Sequence, residues 1–536
     1  ANGGGTFLIP WLFFLFVWSI PLVIAEFAMG KRSRTGTIGT FRIFAGKKFA
    51  WMGLWTAWIS TAIGFYYAIV AGWTIKYFQL GLTGGLTGDD VDTTEVWNAF
   101  LQSPMQVIFF QFIVIALTLA AIWKGAKAIE KVNMVLMISL FVLLFMSLGL
   151  SLWMDFSDGT LDGAMFMFTV NPDMLWEPEI WINGLSQSAW SCSAGMGMAI
   201  TYAVYMRKDE DTVLNAFTMG LANNSISVIA GLAVLSAIFA VSSDPLATVT
   251  GGSSAITFLA LPEVFAQAPG GAVGPFIMMT GFFLALSFAA LTSMISTVEL
   301  CVRNFVDHGY NREKSVAITG AAIFLFGLPS AFVWIKLDSA GVAFPEFLEV
   351  QDHIWGYGLM FSGLFIAFSI WKYGYIRWKA QVAAGEAPGG LKGYLGVGVS
   401  AFRDDFINTG DNDIVVGRWW DILLYIAFPI LFAILMLSYF GDMIANTEDV
   451  WNPGNPKGLG IILMFWGVVA ALFIFLNKYL IQRPIYRNIP EGAEVDISTL
   501  PGGDDELIGA VGEVIPGFEH LTPEAAMEAT IEAELA

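Results

Sequence analysis

Two cysteines and three histidines are all that 536 residues contain. Both cysteines, Cys192 and Cys301, fall inside apolar runs, which excludes a disulfide framework and a cysteine metal cluster. Histidine is confined to His308, His353 and His520, so a histidine metal site or catalytic relay has too few residues to be built. Charge is scarce too: 13% of residues are Asp, Glu, Lys or Arg, against 56% hydrophobic and 15% aromatic, and mean hydropathy is +0.66. An ordinary water-soluble domain is excluded by these values. The apolar segments hold no pair of carboxylates, no Ser/His/Asp set and no phosphate-cradling glycine loop, which leaves nucleophilic and acid–base catalysis without their parts.

What is present is a series of apolar runs, at 7–29, 53–80, 105–123, 132–154, 180–206, 213–241, 273–303, 316–334, 354–373, 420–440 and 459–482. A hydrocarbon core roughly 30 Å thick is crossed by about 20 apolar residues of helix, so the chain reads as an all-α polytopic membrane protein with about eleven transmembrane helices. Lys and Arg fall on alternate loops: Lys31, Arg32, Arg34, Arg42, Lys47 and Lys48, then Lys124, Lys127 and Lys131, then Arg207 and Lys208, then Arg303, Arg312 and Lys314. The intervening loops, 82–103, 155–178 and 242–272, carry no Lys or Arg, only acids such as Asp89, Asp90, Asp158 and Asp244. The positive-inside rule makes the basic set cytoplasmic. The amino-terminal end then lies outside, although it opens on Ala1-Asn2-Gly3-Gly4-Gly5 with no initiator Met and no signal peptide. One further spanning helix is therefore expected upstream of residue 1.

Residues 1–482 form the membrane domain in this reading, with a polar, Gly-rich cytoplasmic stretch from about residue 372 to 418. Residues 483–536 read as an acidic cytoplasmic tail with a short helix near 522–535. The net charge of −19 is unusual for a membrane protein; a halophilic source and a solvated acidic tail both account for it.

One run departs from the others. At 1.5 Å per residue, a continuous helix over 180–206 would be roughly 40 Å long, more than the membrane needs. Its middle, Ser191-Cys192-Ser193-Ala194-Gly195-Met196-Gly197, carries hydroxyls and glycines where a spanning helix carries Leu or Ile. The composition predicts two half-helices joined by an unwound link. Irregular backbone at membrane depth persists only where it is buried in protein or lines a wet cavity, so the link marks a site. Other polar residues gather in the same few segments: Ser60, Thr61, Tyr66 and Tyr67; Gln187; Asn223, Asn224, Ser225 and Ser227; Ser287, Thr292, Ser293, Ser296, Thr297 and Glu299. Neutral oxygens without a general base suit coordination of a hard monovalent cation better than catalysis.

These residues resemble the neurotransmitter:sodium symporter family, most closely its bacterial amino-acid members. The resemblance rests on Asn2-Gly3-Gly4-Gly5-Thr6-Phe7 with Ile9-Pro10, Ile20-Pro21-Leu22, Glu26-x-Ala28-Met29-Gly30, and Tyr66-Tyr67 with Trp73. It continues through Gln187 to Gly197, Ile200-Thr201-Tyr202, Tyr205-Met206-Arg207-Lys208-Asp209 and Ala289-Ala290-Leu291-Thr292-Ser293. It implies the inverted-repeat, leucine-transporter-type fold and sodium-coupled import of a small amino acid by alternating access. A homodimer in the cell membrane is compatible with it, and nucleic acid plays no part.

By the same resemblance, the Tyr67 hydroxyl helps bind the substrate carboxylate beside Ser191, in a pocket of Ile63, Trp190, Ser193, Met196, Ser293 and Thr297. Trp190 stands where the family usually has a Phe lid. One sodium ion uses Ser191 and Asn223; the second uses the Ala289 carbonyl with Thr292 and Ser293. Gln187, Ser191, Asn223 and Ser227 fit the chloride-binding pattern of chloride-dependent relatives, with Trp11 at the position of a Tyr. The gates are Tyr205 with Asp307 on the cytoplasmic side and Asp352 outside, and the arginines these acids normally face are absent at the expected places. Glu26, an acid within a span, is expected to satisfy backbone groups and not substrate. The upstream helix is the family's other broken helix, and without it the site has only half its ligands.

Overall fold

The computed structural model describes residues 3–87, 91–207, 210–250, 252–338, 341–409 and 413–481. The acidic tail and its helix near 522–535 lie outside the described residues, as do Asn2, Asp89, Asp90, Lys208 and Asp209.

Short connecting helices aside, the chain runs in order through α1 (Gly5–Ser33), α2 (Lys47–Thr83), α3 (Pro104–Ile122) and α4 (Ala126–Asp155). Two short helices follow, α5 (Pro178–Ser191) and α6 (Met198–Ala203). The remainder are α7 (Thr212–Val241), α8 (Val273–Asp307), α9 (Arg312–Phe332), α10 (Glu346–Ala383), α11 (Arg418–Asn446) and α12 (Leu459–Leu480). Among the described residues, ten of these are long and apolar enough to cross a membrane. The eleventh expected span, 180–206, is the one that is not continuous, and α5 and α6 are its two pieces.

Local chemistry sets the helix ends. Asp211 caps α7 by accepting from the N–H groups of Val213 at 2.7 Å and Leu214 at 2.8 Å, and Asn311 caps α9 through Lys314 N at 2.9 Å. Pro104 and Pro178 open α3 and α5, where the missing N–H costs nothing. At the centre, α8 lies along α2, and α1 packs on both halves of the broken segment. Large apolar side chains on α4 and α11, among them Val135, Val142, Ile430 and Leu437, remain exposed, as expected where hydrocarbon replaces water.

The all-α reading holds among the described residues, and one expectation changes. Among the described residues strand is confined to one small antiparallel hairpin, β1 (Ile335–Leu337) with β2 (Ala343–Pro345), closed where the Asp338 N–H donates to the Val342 carbonyl at 2.9 Å. The stretch expected to be an open loop from residue 372 is a packed cap. Here α10 runs on to Ala383, and short helical turns at Gly390–Gly393, Tyr394–Gly398 and Arg403–Ile407 follow. Phe402, Phe406 and Ile407 are buried, the Phe402 and Trp420 rings stack at 5.9 Å, and Arg403 Nε reaches both Asp421 carboxylate oxygens at 3.1 and 3.0 Å.

Candidate functional site

The α5 ladder stops at Ser191 and does not resume until Met198. In between, Ser193, Gly195 and Gly197 have positive φ of 51°, 95° and 77°. Ser193 N still bonds to Trp190 O at 3.0 Å and Met196 N to Ser193 O at 3.1 Å, so the link is a pair of turns and not a coil. Within it Cys192, Ala194 and Met196 are buried, while Ser191 and Ser193 are partly exposed. Gly195 is required twice over, by its φ and because a Cβ there would lie 2.8 Å from the Gly363 Cα of α10.

Unwinding frees backbone groups; side chains from two helices meet them, and a third helix meets a side chain at the start of the link. The Gly195 N–H donates to Glu26 Oε1 on α1 at 2.5 Å, and the Met196 carbonyl accepts from the Ser60 hydroxyl on α2 at 2.6 Å. Asn223 on α7 donates through Nδ2 to the Ser191 hydroxyl at 2.7 Å. The second carboxyl oxygen of Glu26 is buried with no partner among the described residues. Glu26 thus serves the backbone of the link, as its position in the sequence suggests.

On α8, which packs along α2, lies a second oxygen group. The Ala289 carbonyl accepts from the Thr292 hydroxyl at 2.8 Å and the Ser293 hydroxyl at 3.2 Å. The Tyr67 hydroxyl lies beside Ser293, which joins α2 to this group. Thr297 donates to the Ser293 carbonyl at 3.0 Å, and its methyl faces Gly64 on α2, one residue from the buried Ile63. Trp190 sits on the rim with its indole edge against Gly356 of α10.

Of the four residues matching the chloride pattern, Ser191 and Asn223 meet, Ser227 donates to the Asn223 carbonyl at 3.0 Å, and Gln187 is exposed. Trp11 is buried, with an indole N–H that has no acceptor among the described residues.

The two ends of the site are cross-linked. At the acidic-loop end Tyr66 donates to Asp352 at 2.6 Å, so the neighbour of Tyr67 is the partner of the expected outer gate, and Tyr439 bonds to Ser186. At the basic-loop end the expected pair, Tyr205 and Asp307, meets through Arg303. Tyr205 donates to Glu299 at 2.7 Å and not to Asp307; Arg312 holds the same carboxylate at 3.1 and 2.6 Å. Asp307 instead binds Arg303 at 2.7 Å and accepts from Gly36 N at 2.5 Å, and the Arg303 guanidinium lies 5.8 Å from the Tyr205 ring centroid. Arg34 caps the end of α6 by donating to the carbonyls of Val204 and Met206. Arg303 and Arg312 read in the sequence as loop cations. A usable signal was present: Glu299, Arg303 and Asp307 recur every fourth residue, on one helix face.

Residues 1–100 and 98–386 match the family model described as the Sodium:neurotransmitter symporter family. An uncharacterized sodium-dependent transporter, YhdH, of Bacillus subtilis is 30% identical over 384 residues, spanning 69% of this chain and 82% of that protein. The sodium-dependent serotonin transporter of Drosophila melanogaster is 25% identical over 442 residues, 72% of this chain and 67% of its own length. Among solved structures, MhsT in complex with L-phenylalanine superimposes with a TM-score of 0.64 at 26% identity, covering 82% of this chain and 92% of that one.

Proposed function

The chain belongs to the Sodium:neurotransmitter symporter family, a family of multi-pass, sodium-dependent transporters, and from that premise we propose that it imports a small amino acid with sodium. The membrane is the cell membrane, with the basic-loop end and the carboxy-terminus in the cytoplasm. The chain works as a carrier and not as an enzyme. The observation that carries the reading is the unwound Ser191–Gly197 link, tied to α2 through Ser60, the same helix whose Tyr67 lies beside Ser293 of the Ala289–Thr292–Ser293 group. The phenylalanine bound in MhsT supports an amino acid as cargo.

The proposed chemistry is electrostatic. Hydroxyl, amide and carbonyl oxygens without formal charge hold sodium at two places, one at Ser191 and Asn223, the other at Ala289, Thr292 and Ser293. The substrate carboxylate takes the Tyr67 hydroxyl, and the side chain fills the space among Ile63, Trp190, Ser193, Met196 and Thr297. Ser293 belongs to both the ion group and the substrate pocket, so ion and substrate each order a residue the other needs. That sharing is the coupling. Alternating access then requires the Tyr66–Asp352 bond and the Tyr205–Glu299–Arg312 and Arg303–Asp307 pairs to open in turn.

The test is a panel of amino acids scored for binding to the full-length protein with sodium and with potassium. Sodium-dependent binding of at least one is expected. Binding of none, or equal binding in both salts, would overturn the proposal.

A further inference from the structure

We infer that Gly356 is a positioning residue for Trp190 and thereby limits the size of side chain the pocket accepts. The inference rests on the proposed pose, in which Trp190 roofs the substrate.

Trp190 is the penultimate residue of α5, immediately before the unwound link. Its indole lies directly on α10: a Cβ built at Gly356 would sit 2.8 Å from Cζ2 and 3.3 Å from Cη2. Carbon atoms do not approach so closely, so any side chain at 356 would have to displace either the helix or the ring. The helix is held from behind. Ile354 and Trp355 are buried on either side of the turn, the Trp466 indole of α12 donates to the Ile354 carbonyl at 2.8 Å, and Trp355 packs edge-on against Trp58 at 5.9 Å. Trp190 is only partly buried. The ring therefore yields and the helix does not. It moves off α10 and onto the space it roofs.

The same face of α10 holds the rest of the rim. Asp352, one turn before Gly356, binds the Tyr66 hydroxyl at 2.6 Å, and the next residue, Tyr67, carries the proposed carboxylate contact. One helical turn therefore fixes both the roof and one wall of the pocket. A bulky Trp at 190 and the absence of a side chain at 356 are complementary halves of one contact.

The experiment measures sodium-dependent binding of alanine, leucine, phenylalanine and tryptophan to the full-length protein. Four forms are compared: native, Gly356→Ala, Trp190→Phe and the double variant. In Gly356→Ala the affinity ratio of the largest bound amino acid to the smallest should fall roughly ten-fold, the scale of one methyl group in a pocket. Phe lacks the two ring atoms that crowd position 356, so in the Trp190→Phe background the same change should leave the ratio nearly unaltered. An unchanged size profile in Gly356→Ala, or an equal change in both backgrounds, overturns the inference. Should Gly356→Ala fail to fold, recovery of folded protein in the double variant supports the contact, and its absence overturns it. Native protein that binds no amino acid with sodium would defeat the functional reading, and the roof with it.

Discussion

The Asn223 side chain donates to the Ser191 hydroxyl at 2.7 Å, tying the interior of α7 to the last helical residue before the unwound link. Both side chains have oxygens left to offer a cation. Asn223→Ala should raise the sodium concentration for half-maximal amino-acid binding several-fold while leaving binding at saturating sodium largely intact. A sodium titration of the purified protein measures this, and an unaltered curve removes Asn223 from the ion site.

Tyr67 carries a hydroxyl beside Ser293, at the junction of α2 and α8. Tyr67→Phe keeps the ring and removes one donor. Loss of a hydrogen bond to a charged carboxylate costs about 1.5 to 3 kcal/mol, so amino-acid affinity should drop by roughly ten-fold or more. Competition binding at fixed sodium tests it, and native affinity in the variant would refute the assigned pose.

Glu26 meets the freed Gly195 N–H at 2.5 Å. Glu26→Gln retains an acceptor there; Glu26→Ala leaves a buried donor unpaired, a penalty of about 1 to 3 kcal/mol. The Ala variant should show the lower unfolding midpoint in detergent, and the Gln variant should stay near the native value. Equal midpoints in the two variants would mean that the carboxyl group does not support the link.

Glu299 is fully buried, and its carboxylate is shared by Tyr205 and Arg312. Removing one partner of such a pair is costly, about 3 to 5 kcal/mol, because the remaining charge is stranded, whereas removing both is far milder. Arg312→Ala alone should therefore lower thermal stability more than Glu299→Gln with Arg312→Ala together. If the double variant is the less stable one, the pair does not hold this end closed.

The Trp11 indole N–H is buried without an acceptor among the described residues, and the resemblance to chloride-dependent relatives groups this residue with Ser191 and Asn223. A chloride ion would supply that acceptor. Transport in reconstituted vesicles should fall when chloride is replaced by gluconate, and unchanged uptake would dismiss the anion.

Much of this arrangement was legible in the residues themselves. Glycines and hydroxyls at 191–197 inside a run too long for one helix locate the break, and the break falls between Ser191 and Met198. Thr292 and Ser293 were legible for a simpler reason: residues three and four after Ala289 on a helix return to its carbonyl. Arg303 and Arg312 were not, because a cation at the end of an apolar run looks the same whether it meets solvent or a buried acid. Their acids, Asp307 and Glu299, lie in the folded interior. The cap over residues 390–416 escaped for another reason. Its buried aromatic residues, Phe402 and Phe406, make no helical stripe and find partners outside it in Phe44 and Tyr373.

The turns of the link have a consequence for how its length can vary. Ser193, Gly195 and Gly197 take positive φ at fixed places, and the Gly195 backbone packs on Gly363 of α10 while its N–H meets the Glu26 carboxyl. One residue more or fewer would put side chains where the glycines must be and carry the N–H away from its acceptor. Insertions and deletions are therefore excluded from this segment, although it is neither helix nor strand.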